Sequence, residues 1–568
     1  MQKRSYCHNP GSFPLVPYTL GDLLDIAADC WGDNEAIISV YEKQHLTYEE
    51  VHDKVTKLAA GLLHLGLKPG DRVGIWSYNC VQWYITYMAI AKAGLITVTL
   101  NPESEPPELL YCLKKVQVKA LVCAERRDSE SCYDLVSKII PELSSCQSSD
   151  VEFHSAEIPS LTSLIIMSDQ KFPGAYRLQD IVAFATPESL KRSEEVQKMV
   201  QPDEGCLIIF SSGTTGKQKG ALLNHHSIIN NAVDYVRRLN LSKATKHRFC
   251  LSTQFCHISA SCCSVIPALH IGGAVVIPGY KYDPIELLKA VKAEKCTAML
   301  SLPSLYTKMV NAVKEDPELA SDSFEVCVLG GANASPSQLH DVLKYIRAAR
   351  VVSIYGMTEI GPMAFQTLST DSLEKISSTT GCVLEHVEAK VVDSEGRMVP
   401  MGTPGEIWIR GCGNMMCYWG EEDKTLEAKT ATGWIKTGDM FILQEDGYGK
   451  VVGRLKDMIK RENINIFPID IENILLKHPG VLEVQAFGVP DPNVGEEMFV
   501  YILPKKDFKL EEQDIRKFCE GKIAKFKIPR YIRVTDEFPR TGTGKPQKFQ
   551  LRQRALHELG LQDISFQK

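Results

Sequence analysis

Apolar and polar residues in this chain form short runs and longer periodic stretches, and together they predict an α/β fold. Apolar runs such as 207–210 and 326–329 have the length of buried strands. In contrast, Val51, Val55, Leu58 and Leu62 recur every three or four positions, which is the period of an amphipathic helix. Because strands alternate with helices of this length, we expect parallel sheets with right-handed crossovers.

Two helix starts carry clear capping signals. Thr47 with Glu50, and Ser335 with Gln338, have the spacing of a capping box, and Pro336 suits a first helical turn. A further periodic stretch with Ile228, Ile229, Ala232 and Val236 predicts a helix. The predicted strands cover 72–77, 95–100, 120–123, 207–210, 249–252, 274–277, 298–301, 326–329 and 351–354.

The pattern changes twice toward the carboxyl end. From about residue 380, short strands are punctuated by Gly and Pro, which is typical of a small antiparallel barrel or sheet. After Gly453 a basic stretch leads into a mixed α+β run. We therefore expect a large N-terminal domain (1–453) of parallel α/β sheets with a β-barrel-like subdomain (about 380–453). A hinge near 454–457 would join it to a small α+β C-terminal domain (454–568).

Composition narrows the class of protein. The chain has 568 residues, a net charge of -6 and a pI near 6.2, so nothing in its overall charge favours nucleic acid as a partner. No segment approaches the roughly 18 apolar residues of a membrane span. The 18 cysteines are irregularly spaced. We expect them to be reduced, and most of them to be buried as small apolar residues.

The stretch LIIFSSGTTGKQKG, residues 207–220, is the first candidate site. Glycines let backbone N–H groups turn toward an anion, the hydroxyls add donors, and the lysines add positive charge, which suits nucleotide phosphates. The spacing is not that of a Walker loop. The alternative is a flexible linker. The candidate phosphate-binding residues are Ser211, Ser212, Gly213, Thr214, Thr215, Gly216, Lys217, Gln218 and Lys219.

Four further stretches carry little weight singly. YGMTE, beginning at Tyr355, follows a predicted strand, and KTGD, ending at Asp439, is predicted to be a turn. The stretch GRLKDMIKRENINIFPIDIE covers 453–472, and PRTGTGKPQK (539–548) places Lys545 in a glycine-flanked loop. Each of the shorter ones is equally well explained as an ordinary turn.

Taken together, these stretches resemble the adenylate-forming superfamily of acyl-CoA synthetases, adenylation domains and luciferases, in its order and spacing. The resemblance covers essentially the whole chain. Residues 5–8, 301–306, 526–532 and 544–552 are similar to the medium-chain acyl-CoA ligases of the acyl-CoA synthetase family member 2 type.

The resemblance implies an ATP-dependent acid:CoA ligase that activates a fatty acid, of medium chain length, as acyl-AMP. It then transfers the acyl group to coenzyme A. The implied small molecules are ATP, Mg²⁺ and coenzyme A. Two alternatives stay open: a luciferase-like adenylating oxidase, and a nucleotide-binding paralogue without turnover. The family member is mitochondrial, whereas the N-terminal residues show no clear presequence and favour the cytosol.

The resemblance also implies roles for individual residues. An acid must become a mixed anhydride before a thiol can attack it, so the site needs cations and N–H donors around the α-phosphate. Lys545 would bridge the carboxylate and that phosphate. The implied further roles are ribose binding by Asp439 with support from Arg454, adenine binding by Tyr355 and the loop of Gly331 and Ala332, nucleotide contacts by Gly356 and Thr358, Mg²⁺ binding by Thr215 and Glu359, a place at the acyl-pocket mouth for His257, and the hinge at Lys456.

The chain departs from the family pattern at four positions. Gln218 and Glu385 stand where proline is common, Asn463 where glycine is usual, and Pro546 where an aliphatic residue is usual. Gln218 should loosen the phosphate loop by up to about 1 kcal/mol. A side chain at Asn463 would narrow the channel for the pantetheine arm. We therefore predict intact adenylation and place the efficiency of the thioester step in doubt.

Overall fold

The structure is a computed structural model of the chain. It describes residues 3–147, 151, 153–211, 218–241, 246–332, 334–461, 464–506, 508–540 and 545–561, and of Asn465 only the backbone. These residues form two compact units. The described residues within 8–388 and 409–435 form the large unit, and those within 1–7, 389–408 and 436–568 form the small unit.

The strands follow in chain order. They are β1 (Tyr6–Asn9), β2 (Glu35–Ser39), β3 (Gln44–Thr47), β4 (Arg72–Trp76), β5 (Ile96–Leu100), β6 (Ala120–Ala124), β7 (Arg126–Arg127), β8 (Glu130–Ser131), β9 (Ser163–Met167), β10 (Tyr176–Arg177), β11 (Gly205–Ser211), β12 (Lys219–Asn224), β13 (Arg248–Cys250), β14 (Ala274–Ile277), β15 (Ala298–Ser301), β16 (Val326–Leu329), β17 (Val351–Tyr355), β18 (Phe365–Gln366), β19 (Cys382–Val383), β20 (Val387–Val392), β21 (Gly405–Gly411), β22 (Cys417–Tyr418), β23 (Ile435–Leu443), β24 (Gly449–Arg454), β25 (Ile459–Arg461), β26 (Ile464–Ile466), β27 (Val481–Asp491), β28 (Gly495–Pro504) and β29 (Tyr531–Val534).

The α-helices lie between these strands. They are α1 (Leu20–Trp31), α2 (Tyr48–His64), α3 (Val81–Lys92), α4 (Pro106–Lys115), α5 (Cys132–Ser137), α6 (Leu178–Ala183), α7 (Pro187–Gln197), α8 (His225–Leu239), α9 (Ile258–Ala260), α10 (Ile266–Ile271), α11 (Pro284–Glu294), α12 (Pro303–Glu315), α13 (Pro336–Asp341), α14 (Leu373–Ser378), α15 (Glu422–Ala428), α16 (Pro468–Leu475), α17 (Glu512–Cys519) and α18 (Lys548–Glu558). A π-helical turn, Ser261–Val265, joins α9 to α10.

Two sheets organise the large unit. One has the order β10-β9-β6-β4-β5-β11-β12-β22, and the other β19-β18-β17-β16-β15-β13-β14-β2-β3. Their central strands are parallel, as in the pairs β4–β5 and β16–β17. Helices between successive parallel strands cover the sheets, so the interior strands are buried on both faces. The prediction of parallel α/β sheets is confirmed.

The small unit contains an antiparallel sheet of order β26-β25-β28-β27, with β29 added parallel to β28. Its long hairpin, β27–β28, is packed by α16 and α18, whose buried positions include Ile471, Leu475 and Leu551. A further five-stranded sheet has the order β1-β20-β21-β23-β24. The predicted α/β fold class with a β-rich part and an α+β part is confirmed. The predicted domain boundary between 453 and 454 stays a prediction.

Local sequence signals explain several element starts. At the start of α2, the Thr47 hydroxyl accepts from the N–H of Glu50, and the Glu50 side chain accepts from the N–H of Thr47. Ser335 and Gln338 make the same reciprocal pair at α13, where Pro336 occupies the first turn. These side chains satisfy N–H groups that a helix leaves unpaired. Both predicted capping boxes are confirmed.

The helix predicted from Ile228, Ile229, Ala232 and Val236 is confirmed as α8. Strand β12, which was not predicted, lies between it and the phosphate loop and pairs antiparallel with β11 through Ser211 and Lys219. One local expectation was wrong. The KTGD stretch lies within strand β23 and is not a turn of its own. Gly438 has φ +70, a left-handed conformation that glycine adopts easily, and the strand continues through it.

All 18 cysteines lie in the described part of the chain, and none of them forms a disulfide. Ten of the 18 are buried, as expected for small apolar residues. Within the same residues, no helix combines the length and the apolar character needed to cross a bilayer.

A polar network in the large unit ties four helices together. The Asp25 carboxylate on α1 accepts hydrogen bonds from Lys92 (2.5 Å) and Gln197 (2.7 Å) and lies 2.9 Å from His52 Nε2. Lys92 is buried, with 6% of its side chain exposed. Burial raises the pKa of Asp25, but the bonds to His52, Lys92 and Gln197 outweigh it and lower that pKa to about 2.

We expect Asp25→Asn to destabilise the protein by about 2 kcal/mol, because it leaves the buried Lys92 ammonium without its carboxylate. The pKa of Asp25 in the folded protein lies below the ordinary aspartate value of 3.8. Its contribution is therefore complete above about pH 4 and is lost as the pH falls toward 2. Urea unfolding of wild type and variant from pH 7 downward measures both effects.

Asp53→Asn is the matched control, since the Asp53–Lys57 pair on α2 is exposed. It should change the free energy of unfolding by no more than about 0.5 kcal/mol. Equal effects of the two substitutions would mean that the Asp25 network adds nothing beyond a surface ion pair.

Candidate active site

The carboxyl ends of two neighbouring parallel strands carry the proposed adenine-binding residues. Gly331 and Ala332 follow β16, and Tyr355 and Gly356 end or follow β17. Because β16 and β17 pair in parallel, these residues lie at the same edge of the sheet. Gly331 has φ +74, a conformation that favours glycine. The structure thus brings this part of the predicted site together.

Gly356 cannot be replaced without moving the backbone. A Cβ atom there would lie 1.8 Å from the carbonyl oxygen of Pro362. The neighbouring Tyr355 ring is buried and meets Phe365 edge to face, with ring centroids 6.2 Å apart. Close packing therefore fixes the direction in which the chain leaves β17 and leads to Thr358.

Glu359 is a buried carboxylate, 5% exposed, in a short 3₁₀ turn after β17. Its Oε1 accepts hydrogen bonds from the hydroxyls of Ser211 (3.1 Å) and Tyr418 (2.8 Å). Ser211 ends β11, so this carboxylate joins the edge of one sheet to the other. The structure therefore places Glu359 beside the start of the candidate phosphate loop.

Within the phosphate loop, Ser212, Gly213, Thr214, Thr215, Gly216 and Lys217 lie outside the described residues. The loop's far end is described and is held by α4. Tyr111 Oη donates to the carbonyl oxygen of Gln218 (2.9 Å), and the Cys112 thiol donates to Gln218 Oε1 (3.3 Å). These two contacts counteract the freedom that a non-proline residue brings to this position. Lys219 follows, with its ammonium 4.8 Å from the centre of the Tyr418 ring.

The Glu359 carboxylate is chemically suited to bind Mg²⁺, which prefers carboxylate ligands. Ser211 and Tyr418 both donate to its Oε1 atom. Among the described residues, no group of three or more His, Cys, Asp or Glu side chains could hold a metal. A site with one protein carboxylate is usual for Mg²⁺ bound together with substrate phosphates. The second predicted ligand, Thr215, lies outside the described residues.

His257 has a structural role in the helix that follows it. It is the N-cap of α9, and its Nδ1 accepts from the N–H of Ser259 (3.2 Å). The next residues, 258–266, are buried in the helical segment α9–α10. This stretch is therefore a packed helical segment. A catalytic role for His257 stays a prediction.

In the small unit, Asp439 and Arg454 face each other across the β23–β24 pair, and their side chains form an ion pair of 3.2 Å. The N–H of Asp439 donates to the Thr437 hydroxyl. The Thr437 hydroxyl in turn donates to the carbonyl of Ile407. Asp439 is buried, whereas Arg454 is exposed. The two predicted ribose-binding residues are thus neighbours.

The loop that carries Lys545 is closed at its base. Arg540 and Pro546 form an antiparallel bridge, and the N–H of Gln547 donates to the Pro539 carbonyl (2.7 Å). Arg540 also binds both oxygens of Glu483 on β27, at 2.7 and 2.8 Å. Residues 541–544 lie outside the described part. Pro546, the residue that departs from the family pattern, takes part in this closure.

Lys545 lies close enough to Asp439 and Arg454 to interact with both electrostatically. Desolvation lowers the pKa of Lys545, the positive charge of Arg454 lowers it further, and the Asp439 carboxylate raises it. Three predicted site residues therefore form one cluster in the small unit.

The predicted hinge residue and two positions that depart from the family pattern lie elsewhere in the chain. Lys456 lies in an exposed 3₁₀ turn, Leu455–Asp457, directly after β24. The N–H of Glu385, which a proline would lack, donates to Asp234 Oδ2 (2.7 Å). Glu385 therefore makes a backbone hydrogen bond that a proline could not make. Asn463 lies outside the described residues, so its effect on thioester formation stays a prediction.

The sequence reasoning missed three residues that contact the site. Tyr418 binds Glu359, and Tyr111 and Cys112 hold Gln218. Each of these contacts joins positions more than 50 residues apart. None of the three lies in a motif, so no local signal identified them.

Comparison with known proteins agrees with this arrangement. The AMP-binding enzyme family matches residues 24–419, and the AMP-binding enzyme C-terminal domain matches 470–545. The chain is 37% identical over 562 residues to the mitochondrial medium-chain acyl-CoA ligase ACSF2 of Danio rerio, covering 98% of this chain and 91% of that protein. The Homo sapiens protein of the same name is 34% identical over 550 residues, covering 96% and 88%.

Solved structures show the same fold. The anthranilate CoA ligase AuaEII in complex with anthranoyl-AMP superimposes with a TM-score of 0.82 at 22% identity, over 97% of this chain and 99% of that one. ATP-bound MatB from Rhodopseudomonas palustris gives a TM-score of 0.80 at 23% identity, covering 95% and 100%.

The chain belongs to the AMP-binding enzyme family, the adenylate-forming enzymes that activate an acid as its acyl-AMP. Within that family it is an AMP-forming acid:CoA ligase, with ATP, Mg²⁺ and coenzyme A as its small molecules. The predictions of family, reaction class and cofactors are confirmed. The roles of the individual site residues remain predictions.

We expect Lys545 to lose its proton at a lower pH than an ordinary lysine. A lowered pKa means that the charged form disappears earlier as the pH rises. Arg454→Gln should raise the pKa of Lys545, and Asp439→Asn should lower it further. Competitive acylation across pH 7–11, read by mass spectrometry against a lysine peptide in the same mixture, measures the midpoint of Lys545.

Arg516→Gln is the control, because it removes a cation elsewhere in the small unit, where Arg516 pairs with Glu512. It should leave the Lys545 midpoint unchanged. Shifts of the same sign for Arg454→Gln and Asp439→Asn would contradict the electrostatic explanation.

We also expect Gln218→Ala to raise the KM for ATP about threefold, since it removes one hydrogen bond that holds the end of the phosphate loop. Gln218→Pro should restore the KM by stiffening the backbone instead. Steady-state kinetics with varied ATP provides the measurement. Tyr111→Phe removes the second contact and should raise the KM in both backgrounds. An unchanged KM in Gln218→Ala would show that the Cys112 contact is not used.

Proposed function

We propose that this ligase acts on a medium-chain fatty acid and that the two clusters of site residues described above carry out its adenylation step. The proposal rests mainly on one observation: a buried carboxylate, Glu359, lies beside the phosphate loop in a chain that also clusters Asp439, Arg454 and Lys545. The choice of acid rests on the relatives, whose name specifies a medium-chain acyl-CoA ligase.

The first half-reaction joins two anions. A carboxylate oxygen of the acid attacks the α-phosphorus of ATP, the bond to the pyrophosphate oxygen breaks, and acyl-AMP and pyrophosphate result. Repulsion between the two anions opposes their approach, so cations and N–H donors placed beforehand lower the barrier. Every proposed role below serves this requirement.

In the large unit, the phosphate loop residues from Ser211 to Lys219 would bind the triphosphate. Tyr355 and the loop of Gly331 and Ala332 would bind the adenine, and Gly356 and Thr358 would contact the nucleotide beside them. Mg²⁺ bound by Glu359 and Thr215 would neutralise part of the phosphate charge.

In the small unit, the buried Asp439 carboxylate is suited to accept hydrogen bonds from the ribose hydroxyls, while Arg454 holds it in place. The Lys545 ammonium would bridge the acid carboxylate and the α-phosphate. Because the pair of Arg540 with Glu483 ties the base of the Lys545 loop to β27, we expect the loop to move together with the small unit.

The second half-reaction transfers the acyl group to coenzyme A. Its thiol attacks the acyl carbon, the bond to the phosphate oxygen breaks, and AMP leaves. Lys545 is not needed for that step. Rotation about the proposed hinge at Lys456 would withdraw the Lys545 loop from the reaction site and present a different face of the small unit to it.

The compartment is part of the proposal. The relatives are named as mitochondrial proteins, which favours the matrix, and the cytosol is the alternative. Fractionation of cells that express the full chain separates the two locations.

Single-turnover assays test the proposed reaction. Wild-type protein is mixed with ATP, Mg²⁺ and one acid from a panel of short-, medium- and long-chain fatty acids and benzoate, with or without coenzyme A. Pyrophosphate, acyl-AMP and acyl-CoA are measured separately. We expect octanoate or decanoate to give acyl-AMP fastest and coenzyme A to convert it to acyl-CoA.

Lys545→Ala should slow acyl-AMP formation by about 100-fold or more. The rate at which added acyl-AMP is converted to acyl-CoA should stay within a few-fold of wild type.

Lys517→Ala removes an exposed lysine of α17 and serves as the control with both steps unchanged. Light emission or O₂ consumption would support the luciferase-like alternative, and ATP binding without pyrophosphate would support a paralogue without turnover. If acyl-AMP persists when coenzyme A is added, Asn463 is the first residue to replace.

A further inference from the structure

Tyr418 contacts the candidate site from two sides, although it belongs to none of the motifs. Its hydroxyl donates to Glu359 Oε1 at 2.8 Å, and its ring lies against the Lys219 ammonium at 4.8 Å. The side chain is 6% exposed.

The backbone around Tyr418 is fixed to the same elements. Strand β22 pairs with β12, where Tyr418 lies opposite Ala221, two residues after Lys219. The N–H of Met415 donates to the carbonyl of Glu359 at 2.9 Å. The phenol is therefore held in register with both the phosphate loop's end and the turn that carries the carboxylate.

Two donors reach one oxygen of a buried carboxylate, and this decides which oxygen a cation can use. Ser211 and Tyr418 occupy Oε1 from two directions. The Oε2 atom is then the oxygen available to a cation, and the two hydrogen bonds set the plane of the carboxylate. Side chains that orient a metal ligand in this way commonly change metal affinity 10- to 100-fold when removed.

We propose that Tyr418 is a positioning residue that orients Glu359 toward the nucleotide-bound metal ion and at the same time holds Lys219 at the end of the phosphate loop. This inference rests on the proposed role of Glu359 as a metal ligand. It adds that the orientation depends on a residue 59 positions away in the sequence.

The ordinary alternative is that Tyr418 only packs the core. In that case, loss of its hydroxyl would lower the stability of the fold and leave metal affinity unchanged. Tyr48 offers a matched comparison, since it is a fully buried tyrosine of the same unit whose hydroxyl donates to the carbonyls of Ala268 (2.8 Å) and Gly273 (2.6 Å).

Mn²⁺ binding, followed by electron paramagnetic resonance with a non-hydrolysable ATP analogue present, tests the proposal directly. Tyr418→Phe keeps the ring and removes the hydroxyl. We expect the Kd for Mn²⁺ to rise about tenfold, and the Mg²⁺ concentration for half-maximal adenylation to rise in parallel, with the KM for the fatty acid unchanged. Tyr418→Leu also removes the ring and should raise the KM for ATP further through Lys219.

Tyr48→Phe should leave the Kd for Mn²⁺ unchanged even where it lowers the thermal midpoint. Ser211→Ala should raise the Kd, and its combination with Tyr418→Phe should be non-additive because both hydroxyls bind one oxygen. Equal Mn²⁺ affinity in wild type and Tyr418→Phe would overturn the inference. Failure of wild-type protein to bind Mn²⁺ with the nucleotide, or to adenylate any acid, would instead overturn the proposed role of Glu359.

Discussion

The hydrogen-bonded burial of Glu359 is the constraint on which the large unit's site depends. A carboxylate inside a protein is costly unless donors satisfy it, and here the donors come from β11 and β22. Satisfying this one charge therefore requires the two large sheets, the turn after β17 and the short strand β22 to keep a fixed arrangement. The same contacts hold the negatively charged Glu359 carboxylate beside Ser211, at the start of the candidate phosphate loop.

Charge is arranged differently in the small unit. There Asp439 is buried against the partly solvated Arg454, and Lys545 stands in the field of both. The guanidinium opposes a second cation nearby, while the carboxylate favours it. A lysine in this balance loses its proton at a lower pH than an isolated one. This agrees with the proposed role of Lys545, in which it binds a phosphate and later releases it.

Much of the fold could be predicted because its signals are local. Short stretches of neighbouring residues identify the buried strands, such as Ala274–Ile277 and Ala298–Ser301. The same is true of the capping boxes at Thr47 and Ser335. Strand β12 was missed because its three central apolar residues directly precede a helix. Tyr418 was missed because its partner is distant in the chain, and a lone tyrosine has no pattern. Motif residues such as Asp439 and Arg454 were found by resemblance, and their direct pairing across β23 and β24 emerged only in the structure.

The hydrogen bond from the Cys112 thiol of α4 to Gln218 has a chemical consequence. Burial and the nearby Glu108 raise the pKa of the Cys112 thiol to about 12. The sulfur therefore keeps the proton with which it donates a hydrogen bond to Gln218 Oε1 throughout the pH range in which a cell operates. A thiol in that state is also a poor nucleophile. We therefore expect Cys112, which supports this end of the candidate phosphate loop, to react slowly with electrophiles and mild oxidants.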